Sequence, residues 1–347
     1  MLRLPPFEYQ APNSVAEAVA LKAECGDSAM FVSGGTDLFP NMKRRQFTPK
    51  TLIGLRKLAE LRSISLDDSG NGLMIGSGVS LSEVAEHPGI LNYFPALAKA
   101  ASLVSAPQLR NMGTIGGNLC LDTRCNYYNQ TFPWRKALGF CLKKPESPMQ
   151  NDAICWVARS SPKCLAVSSS DCAPVMVALD AEFHLMNPDG KRIVPAGGFY
   201  KNDGMDFLNK TPDELLVSIH LPLHEGWKMN YRKLSRRDAI DFPVLGVAVA
   251  LRLDTSGNCM EARIVLGAVA SCPLRAFEAE KLLVGGSLTE EGSLPRIENA
   301  AQVAAKLAKP MDNTDITLGF RKKMVTQFVG KTIKAVSYTH LRAHETL

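Results

Sequence analysis

The 347-residue sequence predicts an α+β protein, with two α/β lobes followed by a separate α+β domain. Three observations predict it. After an opening helix the first lobe reads as a strand, a paired-glycine turn, a brief helix and a second strand, the pattern of a small α/β lobe. A second paired-glycine turn follows about eighty residues later within another run of mixed helix and hairpin signals. From Tyr231 the pattern changes again, with three β-rich runs preceding only helical signals, the segregated order of an α+β domain,.

Taken in order, Ser14 and Glu17 stand at capping-box spacing and open a helix that runs to Cys25, where Gly26 stops it,. Ala29–Ser33 is a short apolar strand leading into Gly34-Gly35-Thr36-Asp37-Leu38 and a brief helix. Thr51–Leu55 is the next strand and closes a first lobe at residues 1–57. Ser63–Leu66 and Leu73–Gly76 flank the turn-forming run from Asp67 to Gly72 and read as a hairpin,. Helices are expected at 81–87 and 89–103. A second hairpin pairs Ala181–Met186 with Arg192–Pro195 around Asn187-Pro188-Asp189-Gly190, and Leu215–Leu221 completes a second lobe at 58–225. The β-rich runs 228–234, 244–253 and 261–270 predict a three-stranded antiparallel sheet. With the helical stretch Ala276–Lys334 they form a C-terminal domain at 226–335. The string SYTHLRAHET reads as translated adapter sequence, so 336–347 is taken as a non-native tail,.

Composition narrows the function classes. The chain is 46% hydrophobic and 21% charged, an ordinary globular balance,. A net charge of +6 without a long basic run makes nucleic acid a weak candidate and suits an acidic or phosphorylated ligand equally well,. No window has the length and apolarity of a membrane span, and the start lacks signal-peptide regions, so a cytoplasmic location is expected. Nine cysteines then need explaining, because disulfides rarely persist in that compartment. Their clustering between Cys120 and Cys164 favours metal or redox work.

The glycine turns carry binding chemistry. In Phe31-Val32-Ser33-Gly34-Gly35-Thr36-Asp37-Leu38 the missing side chains let backbone N–H groups approach an anion, and Thr36 adds a hydroxyl,. A tight strand–helix turn would want the same glycines. The stretch is neither a Rossmann G-x-G-x-x-G nor a Walker loop. Thr114-Ile115-Gly116-Gly117-Asn118 repeats the combination, and two such loops in two lobes suit a ligand with two phosphates held between them,. In Ser170-Asp171-Cys172-Ala173-Pro174 the carboxylate is either an acceptor for ribose hydroxyls or a helix cap,.

The ordered strings SGGTDL, RNMGTIGGN, SD-x-x-P, ELLVSIHLP and YRKLSRRDAIDFP resemble the FAD-binding (medium) subunits of the molybdenum hydroxylase family over the chain to about residue 335. The resemblance implies a two-lobed FAD-binding domain of the PCMH/VAO-like type with the C-terminal domain of the CO dehydrogenase flavoproteins. It implies that residues 31–38 and 114–118 hold the FAD pyrophosphate and that Asp171 serves the ribose or adenine side. Leu216 and Lys233 would lie near the flavin, and Val104 stands where the family often places an aromatic contact.

About fifty residues, an insertion at 122–168, separate Asn118 from Asp171 where the family has a short connection. Cys125, Cys141, Cys155 and Cys164 lie within it, 16, 14 and 9 positions apart. Four thiolates satisfy either a tetrahedral zinc or a cubane iron–sulfur cluster, and this spacing matches neither zinc ribbons nor ferredoxins. Tyr127, Tyr128, Phe132, Trp134, Phe140 and Trp156 are candidates to screen such a group. Arg124, Arg135, Lys136, Lys143, Lys144, Arg159 and Lys163 are candidates to offset its charge,. The insertion resembles that of the β subunit of 4-hydroxybenzoyl-CoA reductase, which implies a 4Fe–4S cluster on these four cysteines, with Cys120 as the competitor for Cys155.

The resemblance further implies an electron-transfer subunit with no catalytic acid, base or nucleophile of its own. Its partners would be a molybdopterin-binding large subunit, a 2Fe–2S small subunit and a low-potential donor such as ferredoxin. The implied reaction is reductive dehydroxylation of 4-hydroxybenzoyl-CoA in anaerobic aromatic degradation. Two alternatives stand beside it: the FAD subunit of a xanthine or CO dehydrogenase-type hydroxylase, and a zinc-stabilised interaction module.

Overall fold

Three sheets, one after another along the chain, organise the computed structural model, which describes residues 2–147, 149–150, 152–223, 225–289 and 291–344. The first is parallel. β1 (Glu8–Gln10) and β2 (Ala29–Val32) flank β3 (Thr51–Gly54) on either side. Parallel neighbours need crossovers, which α1 (Val15–Cys25) and α2 (Leu38–Lys43) supply,. Ser14 caps α1 by accepting from the Glu17 N–H (3.1 Å), and the Glu17 carboxylate accepts from the Asn13 N–H (2.7 Å), one residue before the partner the capping box predicts. Gly26 ends α1 at φ +54°. Val15, Ala18 and Val19 of α1 pack on Ala29, Ile53 and Leu55, and Leu215 of the next sheet joins that core.

The second sheet has the order β4-β5-β8-β6-β7, from β4 (Ile64–Leu66), β5 (Gly72–Gly76), β6 (Glu182–Asn187), β7 (Gly190–Pro195) and β8 (Leu215–Pro222). All its pairings are antiparallel. Helices α3 (Leu81–Glu86), α4 (Pro88–Tyr93) and α5 (Pro95–Ser102) replace the two expected helices. Pro88 and Pro95 each occupy a helix N-terminus, where the missing N–H costs nothing, and so divide the run,. Short helices α6 (Pro107–Arg110) and α7 (Ile115–Leu119) follow, then α8 (Phe132–Ala137) inside the cysteine segment, α9 (Cys172–Ala178) and α10 (Ala196–Phe199). The segment is closed at its neck by paired backbone bonds between Arg124 and Val167, both 2.8 Å.

The C-terminal sheet corrects the expected three strands to four. β9 (Trp227–Leu234), β10 (Leu245–Leu253) and β11 (Cys259–Gly267) are antiparallel, and β12 (Leu274–Arg275) adds to the edge of β11. Two residues directly after Pro273 offer no alternation to read. α11 (Phe277–Leu283), α12 (Leu294–Leu307) and α13 (Leu318–His344) cover this sheet. The helical signal was expected to stop near Lys334, but α13 continues, and Val336 lies in the core because it falls in register with Val325, Val329 and Ile333. Residues 345–347 of the suspected tail lie outside the described residues. Among the described residues no helix is long and apolar enough to cross a membrane.

Candidate functional site

Both glycine loops come together at one cleft of about 650 Å³ between the first two sheets. Residues 31–38, Val104, Thr114, Gly116, Gly117, Asn118 and Leu216 all line it. The local backbone explains why glycine stands where it does. Gly35 takes φ +69°, a conformation that L side chains rarely adopt,. Gly34 lies against the Met112–Gly113 backbone, so the two loops touch directly.

The loops divide the work unequally. Second-loop N–H groups are already bonded within the protein: Ile115 to Val79 O (2.9 Å), Gly116 to Ser77 O (2.9 Å), Gly117 to the Thr114 hydroxyl (3.2 Å) and Asn118 to Thr114 O (2.9 Å). In the first loop, among the described residues, no protein acceptor meets the N–H of Gly34, Gly35, Thr36 or Asp37. These donors line the cleft without a protein partner, so the first loop is the one that can present N–H groups to an anion,.

Ile115, Asp171 and Lys233 do not line the cleft. Ile115 is core. Asp171 is buried and forms an ion pair with Lys233 (2.9 Å), and it also accepts from the Tyr231 hydroxyl (2.9 Å). Burial pushes its carboxyl up to about 6 despite the opposing Lys233 ammonium. Lys233 also donates to Leu103 O and Asp241 O, both at 2.9 Å, and thereby fixes residues next to Val104 and Phe242 in the cleft wall.

Cleft residues that the loops did not reveal come from far along the chain: Phe47, Tyr128, Phe207, Lys210, Glu214 and Phe242. Arg124 links the cysteine segment to the first loop. It pairs with Asp37 and stacks over the Phe242 ring at 4.4 Å, and its burial lowers the guanidinium to about 10.

Next to this cleft lies a much smaller pocket. Cys125, Cys141, Cys155 and Cys164 all line it, with Tyr127, Tyr128, Trp156, Val157 and Ala166 among its walls. Burial raises the Cys125 thiol to about 11 and the Cys164 thiol to about 12, and neighbouring cysteines add to both shifts. Cys120 is elsewhere, in the wall of the larger cleft. Phe132 and Phe140 pair with each other at 5.6 Å and do not line this pocket, and Trp134 is exposed on α8. Among the described residues no three Cys, His, Asp or Glu side chains converge closely enough to hold a single metal ion.

Comparison with known proteins gives a consistent picture. The profile described as the FAD binding domain in molybdopterin dehydrogenase matches residues 5–224, and that of the CO dehydrogenase flavoprotein C-terminal domain matches 230–336. The carbon monoxide dehydrogenase medium chain of Hydrogenophaga pseudoflava is 30% identical, over 95% of this chain and 97% of its own length. The aldehyde oxidoreductase FAD-binding subunit of Escherichia coli is 35% identical, over 81% and 87% respectively. Among solved structures, a carbon monoxide dehydrogenase from Hydrogenophaga pseudoflava superposes with a TM-score of 0.77 at 29% identity, covering 97% of this chain and 99% of that one.

Proposed function

This chain belongs to the FAD-binding medium-subunit family of the molybdenum hydroxylases, and from that premise we propose that it is the flavin-bearing electron-transfer subunit of a heteromeric oxidoreductase. Its partners are a molybdopterin-binding large subunit and a 2Fe–2S small subunit. The carrying observation is the cleft, where a first loop with unpaired N–H donors faces a second loop across the space between two lobes,. Bound FAD supplies the exchange between two-electron and one-electron carriers. Of this chain's residues, Gly34–Asp37 would hold the pyrophosphate, while Val104, Leu216 and Phe242 would present apolar surface that keeps water from the flavin. Oxidation of a small substrate on the large subunit, as in the carbon monoxide and aldehyde oxidoreductases it resembles, sends electrons outward through this cleft.

The cysteine pocket adds a finer reading, a 4Fe–4S cluster on Cys125, Cys141, Cys155 and Cys164. What supports it is the donor set, since four cysteines line one pocket with apolar and aromatic walls. A cluster-bearing insertion keeps the 4-hydroxybenzoyl-CoA reductase-like reading as the second one, with ferredoxin as donor and electrons flowing inward.

The test is anaerobic purification followed by flavin, iron and acid-labile sulfide determination. About one FAD and about four irons per chain are expected. FAD without iron would remove the cluster and the reductase reading together, and a colourless protein that takes up no added FAD would remove the flavin assignment. Assays of the complex with aldehydes, purines, carbon monoxide and 4-hydroxybenzoyl-CoA separate the two directions.

A further inference from the structure

The two cavities share one wall. Tyr128 and Lys143 line the flavin cleft on one side and the four-cysteine pocket on the other. The Lys143 side chain is only 7% exposed. Its ammonium donates to Asp122 Oδ1 (2.6 Å), to Gly204 O (2.6 Å) and to the Thr123 hydroxyl. It also lies 4.8 Å from the Tyr128 ring centroid and 5.2 Å from that of Phe207. Asp122 is itself half-buried and accepts from the Tyr128 hydroxyl at 2.9 Å. A cation held by this many partners cannot swing out to solvent. Its field acts through a wall with little water to screen it.

Reduction adds negative charge at either site, so a fixed cation between them favours the reduced form of both. We propose that Lys143 is a tuning residue whose charge, balanced by Asp122, sets the reduction potentials of the flavin and the cluster together. This rests on the FAD and cluster assignments above. One residue then keeps two electron carriers matched, because any change in its charge moves both potentials in the same direction.

The experiment is a mediated redox titration of the full chain purified anaerobically, with the flavin followed by absorbance and the cluster by EPR. Lys143→Gln is expected to lower both midpoints, changing each reduced-to-oxidised ratio about tenfold at fixed potential, the order for a unit charge ~10 Å away at an effective dielectric of ~20. Asp122→Asn, which leaves the ammonium uncompensated, is expected to raise both. Lys143→Arg, which keeps the charge, is expected to leave both within threefold. Equal shifts in Lys143→Gln and Lys143→Arg, or shifts of one sign in Lys143→Gln and Asp122→Asn, would mean that geometry rather than charge is responsible and would overturn the proposal. A chain with flavin and no iron defeats the cluster assignment alone, and the flavin midpoint still decides the role of Lys143. Should Lys143→Gln not accumulate, Asp122→Asn decides, since a flavin midpoint that fails to rise refutes the charge effect.

Discussion

Gly34→Ala should separate the two loops that frame the cleft. A Cβ built on Gly34 would lie 2.5 Å from the Met112 carbonyl carbon and 3.0 Å from Gly113 Cα, with the Met112 oxygen nearer still. These are backbone atoms, so no side chain can rotate away. Ordinary contact begins near 3.4 Å, so the carbonyl carbon alone would have to recede by about 0.9 Å and the nearer oxygen by more. Overpacking of this kind costs about 1–3 kcal/mol, and a rigid backbone neighbour places it at the upper end, roughly a hundredfold in an equilibrium. The strain falls on the contact that brings the loops together around the cofactor, so FAD affinity should drop by about that factor. The assay is flavin per chain after desalting, then fluorescence titration of the FAD-free protein with FAD. Gly117→Ala is the contrast. A Cβ there meets only the Thr114 hydroxyl, at 3.2 Å, so folding should be unaffected or gain about 0.4–1 kcal/mol from the stiffer unfolded chain. Wild-type flavin occupancy and affinity in Gly34→Ala would refute the argument that this close approach shapes the site.

Three further outcomes are expected. Asp171 has its folded carboxyl raised to about 6 from 3.8 by complete burial. The stability it contributes is therefore present below 3.8 and is lost as pH rises through 6. Urea unfolding between pH 4 and 7 should show wild type losing up to about 3 kcal/mol relative to Asp171→Asn, and a constant difference would contradict this. Cys155→Ala should abolish iron binding while Cys120→Ala retains it, because only Cys155 lies in the four-cysteine pocket; the reverse pattern in an iron assay would exchange the two residues. Arg124→Met removes the partner of Asp37 and the stacking on Phe242. It should weaken FAD binding about tenfold in the same titration, the order of a partly buried charged pair, and unchanged binding would disconnect the cysteine segment from the flavin loop.

What could be read from the sequence follows from how local each signal is. Strands at 29–33, 51–55 and 215–221 lie within a residue or so of β2, β3 and β8, because apolar runs bounded by turn residues are self-contained. β1 was missed since Glu8, Tyr9 and Gln10 are all exposed at a sheet edge and carry no burial pattern. Both glycine loops were visible because turn chemistry is written in adjacent residues. The Asp171–Lys233 pair was not, since it joins positions sixty-two apart, one at the N-terminus of α9 and the other on β9, and only the fold turns two separate motif residues into one buried contact. For the same reason Tyr128 and Lys143 read as members of a cysteine-rich loop, and nothing in their sequence placed them against the flavin cleft.

Most charges in the cleft are tied to partners within the protein. Asp37 is bonded to Arg124 and Asn41, Asp122 to Lys143 and Tyr128, and Glu214 to Arg192 and the Thr211 N–H. Arg192 also holds the Glu214 carboxyl below its ordinary range. Lys210 donates to the backbone carbonyls of Thr211 and Glu214. Cys120, the one thiol in the lining, is raised to about 11 by burial and stays protonated at neutral pH,. Among the described residues Lys144 is the only ionised cleft side chain with no hydrogen-bond or ion-pair partner. General acid–base catalysis needs a group within reach of the substrate and titrating near the working pH, and every other candidate here is tied to a partner or held far from neutrality. Such a lining is suited to fixing a cofactor and its electrostatic surroundings.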